Sequence, residues 1–214
     1  MTHPIERRTL LAAAGALTLG GPALGAAPDG SKVITMLGDS ITAGYGLPAG
    51  AALPAQLQAE LIRLGVKVHV RPAGVSGDTS ADGLARADFS VKSDTDLCLL
   101  ALGGNDLLQG VDPKAMQANL QRILAKLRAR GIPAMILGLK APNAMGASYA
   151  HDYDAVFPAL ARAEHTPLYA NLLDGVMLNA SLNQADGVHP NPQGVKIIAA
   201  RLAPAVLAAL KTSR

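Results

Sequence analysis

The sequence predicts an α/β fold in which a parallel sheet is covered by helices on both faces. Short apolar runs alternate along the chain with longer segments whose apolar residues recur every three or four positions. The composition agrees, because 50% of the 214 residues are hydrophobic and only 3% are aromatic. A core built mainly from alanine, leucine, valine and glycine favours helices packed closely on a sheet.

The predicted elements follow an N-terminal segment that we expect to be an export signal. A short basic region is followed by an apolar stretch from Thr9 to Gly20 and by small residues suited to cleavage at Ala23–Ala26. The string Glu6-Arg7-Arg8-Thr9-Leu10-Leu11 resembles a twin-arginine signal, with a general secretory signal as the alternative. We therefore expect residues 1–26 to be removed on export to the periplasm or medium, and residues 27–214 to form one domain.

The first half of the domain contains three predicted strands. Val33–Leu37 is a short apolar run typical of a buried parallel strand. The predicted helix Pro54–Leu64 follows, with leucines on one face and Gly65 as a stop signal. Val66–Val70 and Asp96–Leu102 are the second and third predicted strands.

The second half continues the alternation of helix and strand. Asp112 and a proline in the first turn predict a helix that runs to Arg130. The fourth predicted strand is Ala134–Leu139, and the fifth is Pro167–Ala170. Between them lies a predicted helix, Asp152–Glu164, with a bend or restart at Pro158, and a C-terminal helix covers Pro192–Leu210. Three longer stretches are predicted to be irregular: Gly74–Asp94, Ala141–Ala150 and Leu172–Pro190.

Small polar or flexible residues follow four of the predicted strands. Ser40 follows the first strand, Gly77 the second and Asn105 the third, while Asp186 and His189 come after the fifth. Because the carboxyl ends of parallel strands lie on one edge of a sheet, we expect these five residues to converge there.

These residue types can form a serine nucleophile with its supporting groups. A serine hydroxyl needs an imidazole to take its proton, and the imidazole needs a carboxylate to orient it. Asp186 and His189 are close enough in sequence for one turn to supply both groups to Ser40. The backbone N–H groups of Ser40 and Gly77 and the side-chain amide of Asn105 could stabilise an oxyanion. The alternative is that Asp39 or Ser40 only caps a helix and Gly77 only forms a turn.

The same motifs resemble the SGNH-hydrolase superfamily, also called the GDSL esterases and lipases. Gly38-Asp39-Ser40 matches the first block of that family, Gly77 the second, Gly103–Asp106 the third and Asp186–His189 the fifth. Two longer strings resemble the branch of bacterial periplasmic arylesterases, acyl-CoA thioesterases and lysophospholipases: Leu37–Gly46 and Gly74–Ser80.

The resemblance implies a three-layer α/β/α flavodoxin-like fold with a five-stranded parallel sheet. It implies Ser40 as nucleophile, His189 as base and Asp186 as its orienting carboxylate, with Ser40, Gly77 and Asn105 as the oxyanion donors. One departure is visible, since members of this branch commonly have asparagine shortly before the second-block glycine, where this chain has Arg71-Pro72-Ala73. The departure weakens any inference about how the second loop is braced.

The expected function is hydrolysis of carboxylic esters or thioesters through an acyl-Ser40 intermediate, with no metal or cofactor. Three loops are expected to choose the substrate: Leu47–Leu53, Leu107–Val111 and Ala141–Tyr149. A carbohydrate O-deacetylase or an acyltransferase could use the same groups. A flavodoxin-like binding module is the non-enzymatic alternative, because the turn Ser40–Gly44 weakly resembles a phosphate-binding loop.

The expected partner is a small-molecule acyl ester or thioester, and neither nucleic acid nor a membrane is expected as a second partner. A formal net charge of +3 is too small and too dispersed to indicate nucleic acid binding. The apolar stretch Thr9–Gly20 is too short to span a bilayer comfortably, so no stable membrane anchor is expected. A monomer is favoured, although the sequence carries no direct signal of oligomeric state.

Overall fold

The computed structural model describes residues 30–212, so the predicted export signal lies outside the described residues. Five parallel strands form one sheet in the order β2-β1-β3-β4-β5. The strands are β1 Lys32–Gly38, β2 Val68–Gly74, β3 Leu97–Ala101, β4 Ala134–Leu137 and β5 Leu168–Tyr169. Every residue of β3 and all but the first of β1 are buried, which explains their continuous apolar character.

The helices form a layer on each face of the sheet. They are α1 Ser40–Ala43, α2 Leu53–Arg63, α3 Ser80–Ser90, α4 Gly104–Gln109, α5 Pro113–Ala129, α6 Ala147–Ala163 and α7 Pro192–Thr212, with 3₁₀ turns at Ala49–Ala51 and Asn143–Met145. Helix α2 packs against α7, whereas α5 packs against α3 and α6. The predicted three-layer architecture with a five-stranded parallel sheet is therefore confirmed.

Helix α3 lies inside the stretch Gly74–Asp94, for which the prediction of irregular structure was wrong. The start of α3 is a capping box, in which the Thr79 side chain accepts from the Asp82 N–H and the Asp82 carboxylate accepts from the Thr79 N–H. Its buried face consists mainly of small residues, so the helical period of large apolar residues is weak: Ser80, Gly83, Leu84 and Ala87.

Strand β2 lies at one edge of the sheet and runs through Pro72 to Gly74, four residues beyond the predicted end. Proline is tolerated there because the outward side of an edge strand pairs with no neighbour. Within β2 the alternate residues on the outward side include Val70 and Pro72. The Val70 N–H donates to Gln58 Oε1 at 2.8 Å, and Pro72 has no N–H to donate.

Among residues 30–212, helix α7 alone is long and apolar enough to cross a membrane by length and composition. Its inward residues Val195, Ile198, Leu202 and Val206 are at most 2% exposed, and the helix packs against α2. Such burial is typical of a core helix and accounts for the apolar composition of α7.

The strand register brings the ends of three strands to the same level. Gly38 at the end of β1 pairs with Gly74 of β2 on one side and with Ala101 of β3 on the other. The connection from β2 to β3 crosses from one half of the sheet to the other, so the strand order switches direction between β1 and β3. Crevices in open α/β sheets form at such switch points. Segments that leave β1, β2 and β3 therefore meet at one place.

Candidate active site

The turn between β1 and α1 presents Ser40 at the edge of the sheet. Asp39 is the N-cap of α1, and its Oδ1 accepts from the Ile41 N–H at 3.0 Å. A Cβ at Gly38 would lie 2.1 Å from Thr42 Oγ1 and 2.8 Å from Ala101 O, so only glycine fits there. Because Ser40 is the first residue of α1, its N–H has no acceptor within the helix.

His189 and Asp186 lie in line with Ser40, as the sequence predicts. The distance from His189 Nε2 to Ser40 Oγ is 2.8 Å, and the distance from His189 Nδ1 to Asp186 Oδ2 is 2.6 Å. Asp186 Oδ1 also accepts the N–H groups of His189 at 3.0 Å and Val188 at 2.9 Å. These bonds to His189 and Val188 lower the pKa of Asp186 to about 2, so this carboxylate is ionised at neutral pH.

The imidazole of His189 has a further neighbour that the sequence reasoning did not identify. The ring of Tyr45 lies with its centroid 4.6 Å from that of His189, at an interplanar angle of 36°. Gln184 Nε2 donates to Tyr45 O at 2.8 Å and to Pro190 O at 3.1 Å, and so ties the loop after α1 to the loop that carries His189. The sequence did contain one indication of this role, because Tyr45 lies within Leu37–Gly46, the string that resembles one branch of the family.

Of the two further residues predicted as oxyanion donors, the structure brings Asn105 into the cavity beside Ser40, whereas Gly77 lies outside its wall. Asn105 stands in the first turn of α4, and its Nδ2 donates to Asp78 O at 2.9 Å, which leaves the second amide N–H available. Gly77 is exposed in the loop between β2 and α3, and its φ of +91° is a conformation that favours glycine. The Asn105–Asp78 bond therefore connects α4 to the residue that follows Gly77.

A cavity of about 230 Å³ opens beside Ser40, and its wall is mainly apolar. Its polar lining residues are Asp39, Ser40, Asn105 and His189. The apolar wall is formed by Ile41, Leu107, Leu108, Leu139, Pro142, Leu173, Met177, Leu178 and Val188. Such a wall can hold an acyl chain with its carbonyl carbon near the Ser40 hydroxyl.

The predicted substrate loops account for part of this wall. Leu107–Val111 and Ala141–Tyr149 each contribute, whereas Leu47–Leu53 contributes no residue. The segment around Leu173–Leu178, in the predicted irregular stretch after β5, also forms part of the wall and was not predicted to do so. Its signal was a run of large apolar residues in a stretch without a helical or strand period.

Asp39, the residue before Ser40, has a buried carboxyl group and lines the same cavity. Asp39 is only 3% exposed, and this burial raises its pKa from 3.8 to about 6. The hydrogen bond from the Ile41 N–H lowers the pKa, but by less than burial raises it. Between these values the folded protein binds the proton more tightly than the unfolded chain does. The contribution of Asp39 to stability therefore falls as the pH rises through this window.

We expect Asp39→Asn to stabilise the protein at pH 8 but not at pH 4. Asparagine keeps an oxygen for the Ile41 N–H and carries no charge to bury. A shift of this size corresponds to a gain of at most about 3 kcal/mol in the free energy of unfolding at pH 8. Urea unfolding of both proteins at the two pH values measures the difference, and equal stability at pH 8 would contradict it.

No group of three or more His, Cys, Asp or Glu side chains is placed to hold a metal ion within residues 30–212.

Comparison with known proteins gives three kinds of similarity. Residues 36–197 match the model of the GDSL-like Lipase/Acylhydrolase family. The chain is 37% identical over 161 residues to the esterase TesA of Pseudomonas aeruginosa, which covers 75% of this chain and 80% of TesA. It is 34% identical over 170 residues to thioesterase 1/protease 1/lysophospholipase L1 of Escherichia coli strain K12, covering 79% of this chain and 80% of that protein.

Among solved structures the chain is similar to AlinE4, described as an SGNH-hydrolase family esterase. The TM-score is 0.71 with 40% sequence identity, and the match covers 84% of this chain and 96% of AlinE4.

Proposed function

The chain belongs to the GDSL-like lipase/acylhydrolase family, and we propose that it is a serine esterase that hydrolyses carboxylic esters and thioesters through an acyl-Ser40 intermediate. The observation that carries this proposal is the hydrogen-bonded series from Ser40 Oγ through the His189 ring to Asp186. Ser40 and His189 also line the apolar cavity, which suits an acyl group.

In the proposed reaction, Ser40 Oγ attacks the acyl carbonyl carbon while His189 Nε2 takes the hydroxyl proton. The tetrahedral intermediate then collapses, the bond from carbon to the leaving oxygen or sulfur breaks, and His189 returns the proton to the leaving group. Water, deprotonated by His189, then attacks the acyl carbon. When this second tetrahedral intermediate collapses, the bond from the acyl carbon to Ser40 Oγ breaks, His189 gives the proton to Ser40 Oγ, and the carboxylic acid leaves. Asp186 holds the ring with Nδ1–H towards itself and Nε2 towards Ser40 throughout.

The negative charge of the tetrahedral intermediate needs donors on the side opposite to His189. We assign this role to the N–H of Ser40, the N–H of Gly77 and the Nδ2 amide of Asn105. The free N–H at the start of α1 and the second N–H of the Asn105 amide support the assignment. Gly77 is included because the Asn105–Asp78 bond holds its loop next to α4.

The proposed substrates are acyl esters and thioesters whose chain lies along the apolar wall. TesA is named an esterase and the E. coli relative a thioesterase and lysophospholipase, which supports both leaving-group types for this chain. We also propose that residues 1–26 direct export, and that residues 27–214 act as a monomeric domain in the periplasm or the medium.

The test is a substrate panel combined with covalent labelling. p-Nitrophenyl esters and acyl-CoAs of increasing chain length should be hydrolysed, with kcat/KM rising as the chain fills the apolar cavity. A p-nitrophenyl alkylphosphonate should label the peptide that contains Ser40, which mass spectrometry detects. Labelling elsewhere with loss of activity would reject Ser40 as nucleophile, and a preference for acetylated sugars would favour the O-deacetylase alternative. An added alcohol that competes with water for the acyl group would indicate an acyltransferase.

A further inference from the structure

We propose that Arg86 is a positioning residue that holds the Gly77–Asp78 loop in place for the oxyanion hole. This inference rests on the proposed esterase function and concerns a residue of α3, the helix that the sequence did not predict. The side chain of Arg86 is 20% exposed and does not line the cavity beside Ser40, so any effect of Arg86 on catalysis must act through other groups.

The guanidinium group of Arg86 donates to three separate segments around the site. Nη2 donates to Gly38 O at the end of β1, and Nη1 donates to Ala73 O near the end of β2, both at 2.8 Å. Nε donates to Asp78 Oδ2 at 2.5 Å, and Nη1 also reaches Ser90 Oγ at 3.0 Å. A planar guanidinium offers five N–H donors in a fixed arrangement, so one side chain can hold these segments together.

Through these segments Arg86 is connected to all three proposed oxyanion donors. Gly38 precedes Ser40 by two residues, and Asp78 directly follows Gly77. Asp78 also accepts the Asn105 amide on its backbone oxygen at 2.9 Å while its carboxylate is held by Arg86. Arg86 is therefore bonded to the segment of Ser40, to the loop of Gly77 and to the residue that orients Asn105.

The loop that Arg86 holds has little packing of its own. Val75, Ser76 and Gly77 are all exposed, whereas Asp78 is buried with a side chain that is 11% exposed. Charge-assisted bonds in such a partly buried place are stronger than neutral ones. Arg86 also donates to the Ala73 carbonyl, and so braces the second loop at Arg71-Pro72-Ala73, where related chains commonly have asparagine.

The start of α3 is anchored independently of Arg86. Asp106, the neighbour of Asn105, accepts the Ser80 N–H at 2.7 Å and the Ser80 hydroxyl at 2.5 Å, and Asn119 Nδ2 donates to Ser80 Oγ at 3.1 Å. This buried network keeps α3 against α4 and α5. Loss of Arg86 should therefore displace the Gly77–Asp78 loop without unfolding α3.

The test is the kinetics of Arg86→Met beside a matched control, Arg71→Met. We expect Arg86→Met to lower kcat by about 10- to 100-fold with little change in KM, because a small displacement of oxyanion donors weakens transition-state binding. Arg71 forms a partly buried pair with Asp94 and touches none of the proposed catalytic groups. Its loss should change kcat by less than about twofold. Equal kcat values in the two variants would overturn the inference.

A double-mutant cycle separates positioning from a general structural role. If Arg86 acts through the oxyanion hole, Arg86→Met should cost much less in kcat when Asn105 is already alanine, whereas a general structural effect would be the same in both backgrounds. Asp78→Ala removes the carboxylate that Arg86 holds, keeps the backbone oxygen that accepts from Asn105, and should also lower kcat. It keeps the inference testable if Arg86→Met does not fold.

Additive effects in the cycle, or a wild-type kcat for Asp78→Ala, would overturn the positioning role of Arg86. A wild-type protein without Ser40-dependent ester hydrolysis would instead reject the proposed function, so the two failures are distinguishable.

Discussion

Ser40→Ala is expected to lower kcat for ester hydrolysis by about 10⁴- to 10⁶-fold, as loss of the nucleophile does in serine hydrolases generally. The variant keeps the N–H of residue 40, the cavity and the Asn105 amide, but no atom remains to form the acyl bond. The residual rate should come from transition-state stabilisation alone. Hydrolysis of a p-nitrophenyl ester, with enough protein to detect a residual rate, measures the loss.

The fold of Ser40→Ala should be intact, because Ser40 Oγ bonds to His189 and the cap of α1 is provided by Asp39. The free energy of unfolding should change by less than about 1 kcal/mol. Ser93→Ala is the matched control. Ser93 is exposed in the loop before β3, at the amino ends of the strands and away from Ser40, so this variant should keep the wild-type kcat. Retention of more than about a thousandth of kcat in clean Ser40→Ala protein would reject the acyl-Ser40 mechanism.

Asp186→Asn is expected to lower kcat by about 10³- to 10⁴-fold with little change in KM. Asparagine can still accept the N–H groups of Val188 and His189 on its oxygen, so the loop should keep its shape. Its NH₂ group would then face His189 Nδ1 and favour the tautomer with the proton on Nε2. That nitrogen could no longer take the proton of Ser40.

Asp152→Asn is the control for this substitution. Asp152 lies 3.2 Å from His151 Nδ1, but both side chains are exposed on α6 and lie outside the proposed machinery. We expect a wild-type rate for this variant. A comparable loss of kcat in the two variants, or a wild-type rate for Asp186→Asn, would contradict the orienting role of Asp186.

The depressed pKa of Asp186 also constrains the pH dependence. Because this pKa is lowered from 3.8 to about 2, the carboxylate stays ionised as the pH falls, until it approaches the lower value. Any loss of kcat/KM in wild-type protein between pH 4 and pH 7 is therefore not a titration of Asp186.

The sequence predicted the sheet and the residues at its edge because both depend on strong local signals. Strands β1 and β3 are buried on both faces and so appear as continuous apolar runs. Ser40, Asp186 and His189 could be predicted to lie together because a serine nucleophile requires an imidazole and a carboxylate, and the structure places them in one hydrogen-bonded series. Asp39 is a helix cap, as the simpler interpretation of this motif holds, while Ser40 beside it faces His189.

The rest depends on contacts that leave little trace in the sequence. Helix α3 was missed because its buried face is built from small residues and its start is marked by a cap rather than by large apolar residues. Arg86 bonds to backbone carbonyls, which every residue type carries, so no pattern indicates its partners. The cavity wall around Leu173–Leu178 depends on how an irregular segment returns to the sheet, which a period of two or 3.6 residues does not encode.

The outward side of β2 bears on how copies of this protein behave at high concentration. An open strand edge invites a strand of another molecule to pair with it, which leads to aggregation. Such a strand would find the N–H of Val70 already taken by Gln58 and no N–H at Pro72. The outward side of β2 is therefore poorly suited to pairing with a strand of a second molecule. This is a useful property for an enzyme that would have to remain dispersed in a crowded compartment.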